Sequence, residues 1–249
     1  MAKSRQSIFL IGESPLVEEF GETCQKAGFE VYYKFNAASK TASLPRNLKK
    51  AAAIPRSSSL AIELTNTDID TKKKNLYYLD KSLPPSKTIL SSSVTITATE
   101  QATWLKHTKR LIGICALPTL LNQKLIELAP TVHTDKAFIS QTRDFLLQLR
   151  KEVVIVQDRV GMVLPRILCM LINEASFALM EGIASPNDID TAMKLGTNYP
   201  FGPIEWAEKI GVQQVVAVRE AIHSDVGEER YRIAPLLRQL ATGNKWWQG

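Results

Sequence analysis

Apolar residues run unbroken through Ile8-Phe9-Leu10-Ile11, as in a strand buried on both faces. Residues 16–28, LVEEFGETCQKAG, change to a helical period that puts Leu16, Phe20 and Cys24 on one stripe and stops at Gly28. FEVYYKF, 29–35, returns to a strand pattern. This opening predicts a right-handed β-α-β unit with parallel strands.

Residues 36–58 are small, polar and punctuated by proline, and read as a loop with room for one short helix. Beyond them LAIELT (60–65), KTILSSS (87–93), RLIGICAL (110–117), KLIELAPT (124–131) and EVVIVQD (152–158) have strand character. Helical periods lie at 70–83 and 135–150. Such alternation is the doubly wound α/β class. After 158 every segment is helical in period, so the chain divides into 1–158 and 159–249. In SPNDIDTAMKLG, 185–196, Ser185 can cap a helix, Pro186 suits its first turn, and Asp188 and Asp190 lie near its positive end.

At 249 residues and 45% hydrophobic content the chain can fill two cores of ordinary size. Its formal charge of +6 suits an anionic ligand such as a nucleotide or coenzyme A. The basic runs NLKK (47–50) and TKKKN (71–75) carry no interleaved aromatic residue, so they are expected on helix surfaces and not against nucleic acid. Cys24, Cys115 and Cys169 are too scattered for a disulfide framework or a zinc site, which points to a reducing, cytoplasmic setting. No His, Cys and carboxylate spacing suggests a metal. The most apolar stretch, 161–182, contains Pro165, Arg166, Asn173 and Glu174 and is expected to be a buried helix, not a membrane span. The apolar part of the N-terminal segment is too short for a signal peptide.

Residues 158–211, with IDTAMKLG and YPFGP at their centre, resemble the C-terminal domain of the L-3-hydroxyacyl-CoA dehydrogenases. LAIEL and LIGICALPTLLNQKLIEL resemble pieces of the same family's N-terminal half. The resemblance implies a Rossmann-like sheet followed by an all-α domain of the 6-phosphogluconate dehydrogenase C-terminal type, which makes a dimer contact. It also implies NAD-dependent oxidation of a 3-hydroxyacyl-CoA in fatty acid metabolism. In that family a His oriented by a Glu takes the hydroxyl proton, while a Ser and an Asn hold the oxygen. Placed on this sequence, the Glu is Glu127, the Ser is Ser92 or its neighbour Ser93, and the acidic residue approaching the nicotinamide is Glu63. Cys115 stands in the place of the His and Pro165 in that of the Asn. The family's longer helical segment after the second strand, which covers the acyl-CoA, does not fit within 36–58.

The glycine-rich turn is altered as well. Gly12, Ser14 and Val17 occupy the three glycine places of G-x-G-x-x-G. Ser14 adds a side chain where phosphate would lie, and Pro15 removes an amide donor, although Ser14-Pro15 is itself a good helix start. Glu13, Glu18 and Glu19 bring negative charge to a place that normally attracts a pyrophosphate. The second strand ends in Lys34 and Phe35 instead of the acidic residue that takes the ribose hydroxyl, and Lys34 would suit a phosphorylated ribose. A thiol is a poor general base near neutral pH, and a neighbouring carboxylate disfavours its ionised form. His107 and His133 do not lie where the base was, and His223 reads as an exposed helix end. Glu127 alone is a weak signal, because a lone carboxylate beside a strand is more often a solvated or ion-paired group.

Three readings stay open. One is a dehydrogenase with a rearranged site, using Glu127, Ser92, Glu63 and NAD. The second is a member with no cofactor and no catalysis, a homodimer through its helical domain or the partner of an active paralogous subunit, with acyl-CoA or nucleotide binding as a residue of its ancestry. The third uses Cys115 as a nucleophile or redox thiol. Trp246 and Trp247 near the end of the sequence are read as packing on the sheet or anchoring a partner.

Overall fold

A computed structural model describes residues 6–37 and 47–243. Trp246 and Trp247 lie outside the described residues. The chain forms two compact units, Met1–Met162 and Val163–Gly249. It stays with the first unit past the expected boundary at 158 because Asp158 accepts hydrogen bonds from the Ala98 and Thr99 N–H groups, and Gly161 N–H donates to Val94 O.

Among the described residues, the first unit is built on an eight-stranded sheet. Its strands are β1 Ser7–Gly12, β2 Glu30–Phe35, β3 Lys49–Lys50, β4 Ser58–Leu64, β5 Thr88–Ser92, β6 Leu111–Ile114, β7 Leu125–Pro130 and β8 Glu152–Ile155, in the order β3-β2-β1-β4-β5-β6-β7-β8. The order reverses between β1 and β4, and the ends of these strands form the crevice where doubly wound folds bind ligands. All neighbours are parallel except β6 and β7. Only a short stretch, 115–124, joins that pair, too little for a parallel crossover, so the chain turns back antiparallel.

Alternation along the strands feeds two apolar layers. Ile8 and Leu10 pack with Leu16, Val17, Phe20 and Cys24 of α1, Leu16–Lys26, and with Phe145 and Leu146 of α4, Lys136–Gln148. Phe9 and Ile11 pack with Leu76 and Leu79 of α2, Ile69–Ser82, and with Ala102 of α3, Ala98–Ala102. NLKK, expected on a helix surface, instead supplies β3, because Lys49 and Lys50 pair with Tyr32 and Tyr33 of β2. Lys49 and Lys73 each lie over a ring, those of Tyr32 and Trp104, so aromatics absent from the sequence neighbourhood arrive through the fold.

The second unit holds α5 Leu164–Met180, α6 Pro186–Thr197, α7 Pro203–Ile210, α8 Val212–Val226 and α9 Pro235–Gly243. Ser185 caps α6 by accepting from the Asp188 N–H, as its sequence predicts. Asp190, expected to serve the start of α6, serves α7 instead, accepting from the Ile204 and Glu205 N–H groups at 2.8 and 3.0 Å. The Gly in YPFGP follows from this contact, since a Cβ at Gly202 would lie 2.1 Å from Asp190 Oδ1. Among the described residues no helix is long and apolar enough to cross a membrane.

Candidate functional site

The crevice between β1 and β4 is bounded by the β1–α1 corner, residues 13–15, and by the residues that follow β4. Gly12 is needed for strand packing, because a Cβ there would lie 2.3 Å from Leu64 O. Glu13 is buried, and its carboxylate accepts from Asn66 N–H at 3.0 Å and from the Thr67 hydroxyl at 2.7 Å. The Glu13 side chain thus ties the β1–α1 corner to the residues that follow β4. Ser14, expected to begin α1 as a cap, gives its hydroxyl to Glu18 at 2.6 Å, and Pro15, which has no N–H, occupies the cap position. Glu19, on the same turn of helix, accepts from Thr119 N–H at 2.8 Å. Burial, helped by Glu18 and Glu22, outweighs that bond and raises the Glu19 carboxyl to about 7.

Asn66 joins the strand ends. Its Oδ1 accepts from the Ser92 hydroxyl, its Nδ2 donates to Ala116 O at 2.8 Å, and its carbonyl accepts from the Thr95 hydroxyl at 3.1 Å. Ser92 also donates to Ala116 O at 3.2 Å, while its neighbour Ser93 accepts from Gln101 Nε2 at 3.1 Å. Both serines are fully buried.

Glu63, expected beside a nicotinamide, lies wholly inside the unit and forms an ion pair with Lys72 of α2. Lys72 donates further to Ser91 Oγ and Ser92 O, at 3.2 and 2.9 Å. Lys72 is therefore a core residue, not a helix-surface charge as the run TKKKN suggests. The second Glu63 oxygen accepts from Asn75, which also reaches Thr65 and Asn36. Asn36 follows β2 directly, so side-chain amides fill the place where an acidic residue would hold a ribose. Lys34 is exposed, its ammonium 5.0 Å from the centre of the Tyr78 ring.

Cys115 and Glu127 are neighbours across the antiparallel pair, where Cys115 N–H donates to Glu127 O at 3.0 Å. Both side chains are buried, Cys115 at 6% and Glu127 at 4% exposure, so Glu127 is not the solvated group that a lone carboxylate suggests. His107 is bound to Asp80 at 3.2 Å within the Arg110 anchor of α2, and His133 is exposed on the 131–134 turn. His223, expected at an exposed helix end, is half-buried on α8, with its Nδ1 enclosed and without a partner. Pro165 is buried in the first turn of α5, where it contributes shape and no polar group. No group of His, Cys, Asp and Glu among the described residues could hold a metal ion.

The sequence reading missed Asn66, Lys72 and Thr119. Asn66 had a usable signal, a polar residue just past a buried strand at the switch point. Lys72 and Thr119 had none, because their partners are set only by the fold.

Two sequence profiles match the chain. That of the 3-hydroxyacyl-CoA dehydrogenase NAD binding domain covers residues 20–159, and that of the C-terminal domain covers 161–246. The first begins after the altered turn. A 3-hydroxybutyryl-CoA dehydrogenase of Bradyrhizobium diazoefficiens is 32% identical over 178 residues, 72% of this chain and 61% of that protein. The mitochondrial hydroxyacyl-coenzyme A dehydrogenase of Homo sapiens is 28% identical over 247 residues, 99% of this chain and 76% of its own. The chain thus spans about three-fifths of the length of the Bradyrhizobium relative. Among solved structures, M. tuberculosis FadB2 shares the fold with a TM-score of 0.85 at 22% identity, covering 98% of this chain and 96% of its own. The (S)-3-hydroxybutyryl-CoA dehydrogenase PaaH1 of Ralstonia eutropha gives 0.79 at 24% identity, covering 99% of this chain and 100% of its own. With both units matched by its two domain profiles, the chain belongs to the 3-hydroxyacyl-CoA dehydrogenase family.

Proposed function

We propose that this chain is a family member that has lost, or nearly lost, hydride transfer and acts through association, as a homodimer through its helical unit or as the partner of an active subunit. The observation that carries this reading is Glu13, whose carboxylate crosses the crevice to Asn66 and Thr67. When bound, NAD supplies the hydride acceptor of the family's reaction. The residues present fit it poorly, because the other two glycine places hold Ser14 and Val17, Pro15 offers no donor, and Asn36, Thr65 and Asn75 satisfy one another at the ribose position. A thiol, mostly protonated near neutral pH, is a poorer general base than the His whose place Cys115 takes, and loss of a general base alone lowers a rate by about 10²–10⁴-fold. Its burial also counts against thiol chemistry with an external substrate. In favour of association, the helical unit keeps its packing motifs while presenting Ile167, Ile183 and Leu195 to solvent.

A second reading, a slow dehydrogenase, draws on the retained Ser92, Glu127 and Glu63. Oxidation of NADH by acetoacetyl-CoA, followed optically with the folded protein, separates the two. No turnover from the folded chain by itself, which either sediments as a dimer or binds a paralogous subunit, is the outcome expected. Steady turnover that falls when Ser92 is changed to Ala contradicts the proposal.

A further inference from the structure

Within the runs NLKK and TKKKN no aromatic residue separates the lysines, but the fold sets rings beside them. Lys49 of β3 lies over Tyr32 of β2, Lys34 of β2 over Tyr78 of α2, and Lys73 of α2 over Trp104, with ammonium-to-ring-centre distances of 5.6, 5.0 and 5.6 Å. Tyr32 and Lys34 are two positions apart on β2 and so share one face of the sheet. On that face Tyr32, Ile54, Tyr78 and Trp104 pack against the layer of Phe9 and Leu76. The Tyr78 hydroxyl accepts from Ile54 N–H at 3.2 Å, which fixes α2 to the chain that follows β3. β2, β3 and α2 therefore form one continuous surface.

The outer side of α2 extends it. Lys73 and Lys74 stand four and three residues before Tyr77, and Lys81 four after it, the spacing of neighbours on one helix face. All four side chains are exposed, Tyr77 at 63%. From Lys73 to Lys81 the stripe runs about 12 Å along the helix. Among the described residues Lys34, Lys73, Lys74 and Lys81 enter no ion pair, whereas Lys49 pairs with Glu30. Of the acids of this helix and its cap, Asp68 accepts from the Thr71 N–H and hydroxyl, and Asp80 is turned inward to Arg110. Asp70, exposed in the first turn, is the acid left beside the lysines.

We propose that this surface binds single-stranded nucleic acid, with phosphates held by Lys34, Lys73 and Lys74 and a base stacked on Tyr77. An exposed phenol ring offers a π-face that any base can cover, and ammonium groups one helical turn away neutralise the adjoining phosphates, the two components of sequence-tolerant single-strand binding. A duplex keeps its bases stacked on one another and meets the lysines alone. An acidic peptide matches the lysines but leaves the ring without a stacking partner. The net charge of +6 adds a field that draws a polyanion to the chain. Such binding requires nothing of the crevice, with or without a cofactor.

Fluorescence anisotropy of a labelled oligouridylate of about 15 nucleotides, titrated with the folded protein at several salt concentrations, tests it. Binding is expected, with log affinity falling against log salt by about 0.7 for each phosphate engaged. Tyr77→Leu, which keeps an apolar side chain without a π-face, is expected to weaken binding about fivefold to a hundredfold at an unchanged salt slope, and Tyr77→Phe to retain it. Lys73→Gln and Lys74→Gln are each expected to reduce the slope by about 0.7. These positions are exposed, where such changes leave folding stability nearly intact. Absence of binding at about 0.1 mM protein in low salt overturns the proposal. So does an unaltered affinity in Tyr77→Leu, or a slope unmoved in both lysine variants. Polyglutamate of the same length bound as tightly as the oligonucleotide also overturns it, and assigns the surface to an acidic protein segment.

Discussion

At the scale of single residues, the first unit hides charge where its sequence suggests surface or cofactor contact. Glu63 and Lys72 are both almost completely enclosed, and each is satisfied by the other and by Ser91, Ser92 or Asn75. Removing one member of such a pair leaves a buried charge without compensation, whereas replacing both with apolar groups is often tolerated. Lys72→Met is therefore expected to destabilise the protein by about 3–5 kcal/mol in denaturant unfolding. Joint replacement with Glu63→Leu is expected to recover most of that loss, and recovery of none would mean that the pair is not a closed unit. The sequence identified Glu63 as a special acid but not its purpose, because its partner lies nine positions away in a helix whose rotation only packing decides. Gly12 was legible as a constrained position, and the Leu64 backbone is enough to exclude a side chain there.

Elements with strong periodicity or clear end signals were the readable part of the fold. β1, α1, β2, β4 and α2 lie close to their expected places, and α6 begins on the Ser185 cap that its sequence announces. β3 and α3, at two and five residues, are too short to show a period, and only their pairing or capping defines them. The antiparallel turn of β7 was also hidden, since strand composition does not encode direction. The junction of α6 and α7 shows how one side chain links elements. Asp190 leaves α6 to cap α7, and the missing side chain at Gly202 makes room for it. Gly202→Ala is expected to displace Asp190 and cost about 1–3 kcal/mol, the usual range for forcing an extra carbon into a packed site. An unchanged melting temperature would show that the cap can shift at no cost.

On the scale of the whole molecule, each unit has its own buried core, and the family match extends over both. At one end of the sheet Glu13, Asn66, Ser92 and Ala116 close on one another. The sequence displays Ser14, Val17 and Cys115 at the places where the resemblance expects two glycines and a His. It did not expose the replacements, because a carboxylate that bridges two loops looks the same in one dimension as one that repels an anion. Calorimetric titration of the folded protein with NADH tests the central claim most directly. A crevice bridged by its own carboxylate is expected to show no binding at about millimolar concentration, a free energy weaker than about −4 kcal/mol. Saturable binding at micromolar NADH would contradict it, and would mean that Gly12, Ser14 and Val17 still form a working dinucleotide turn.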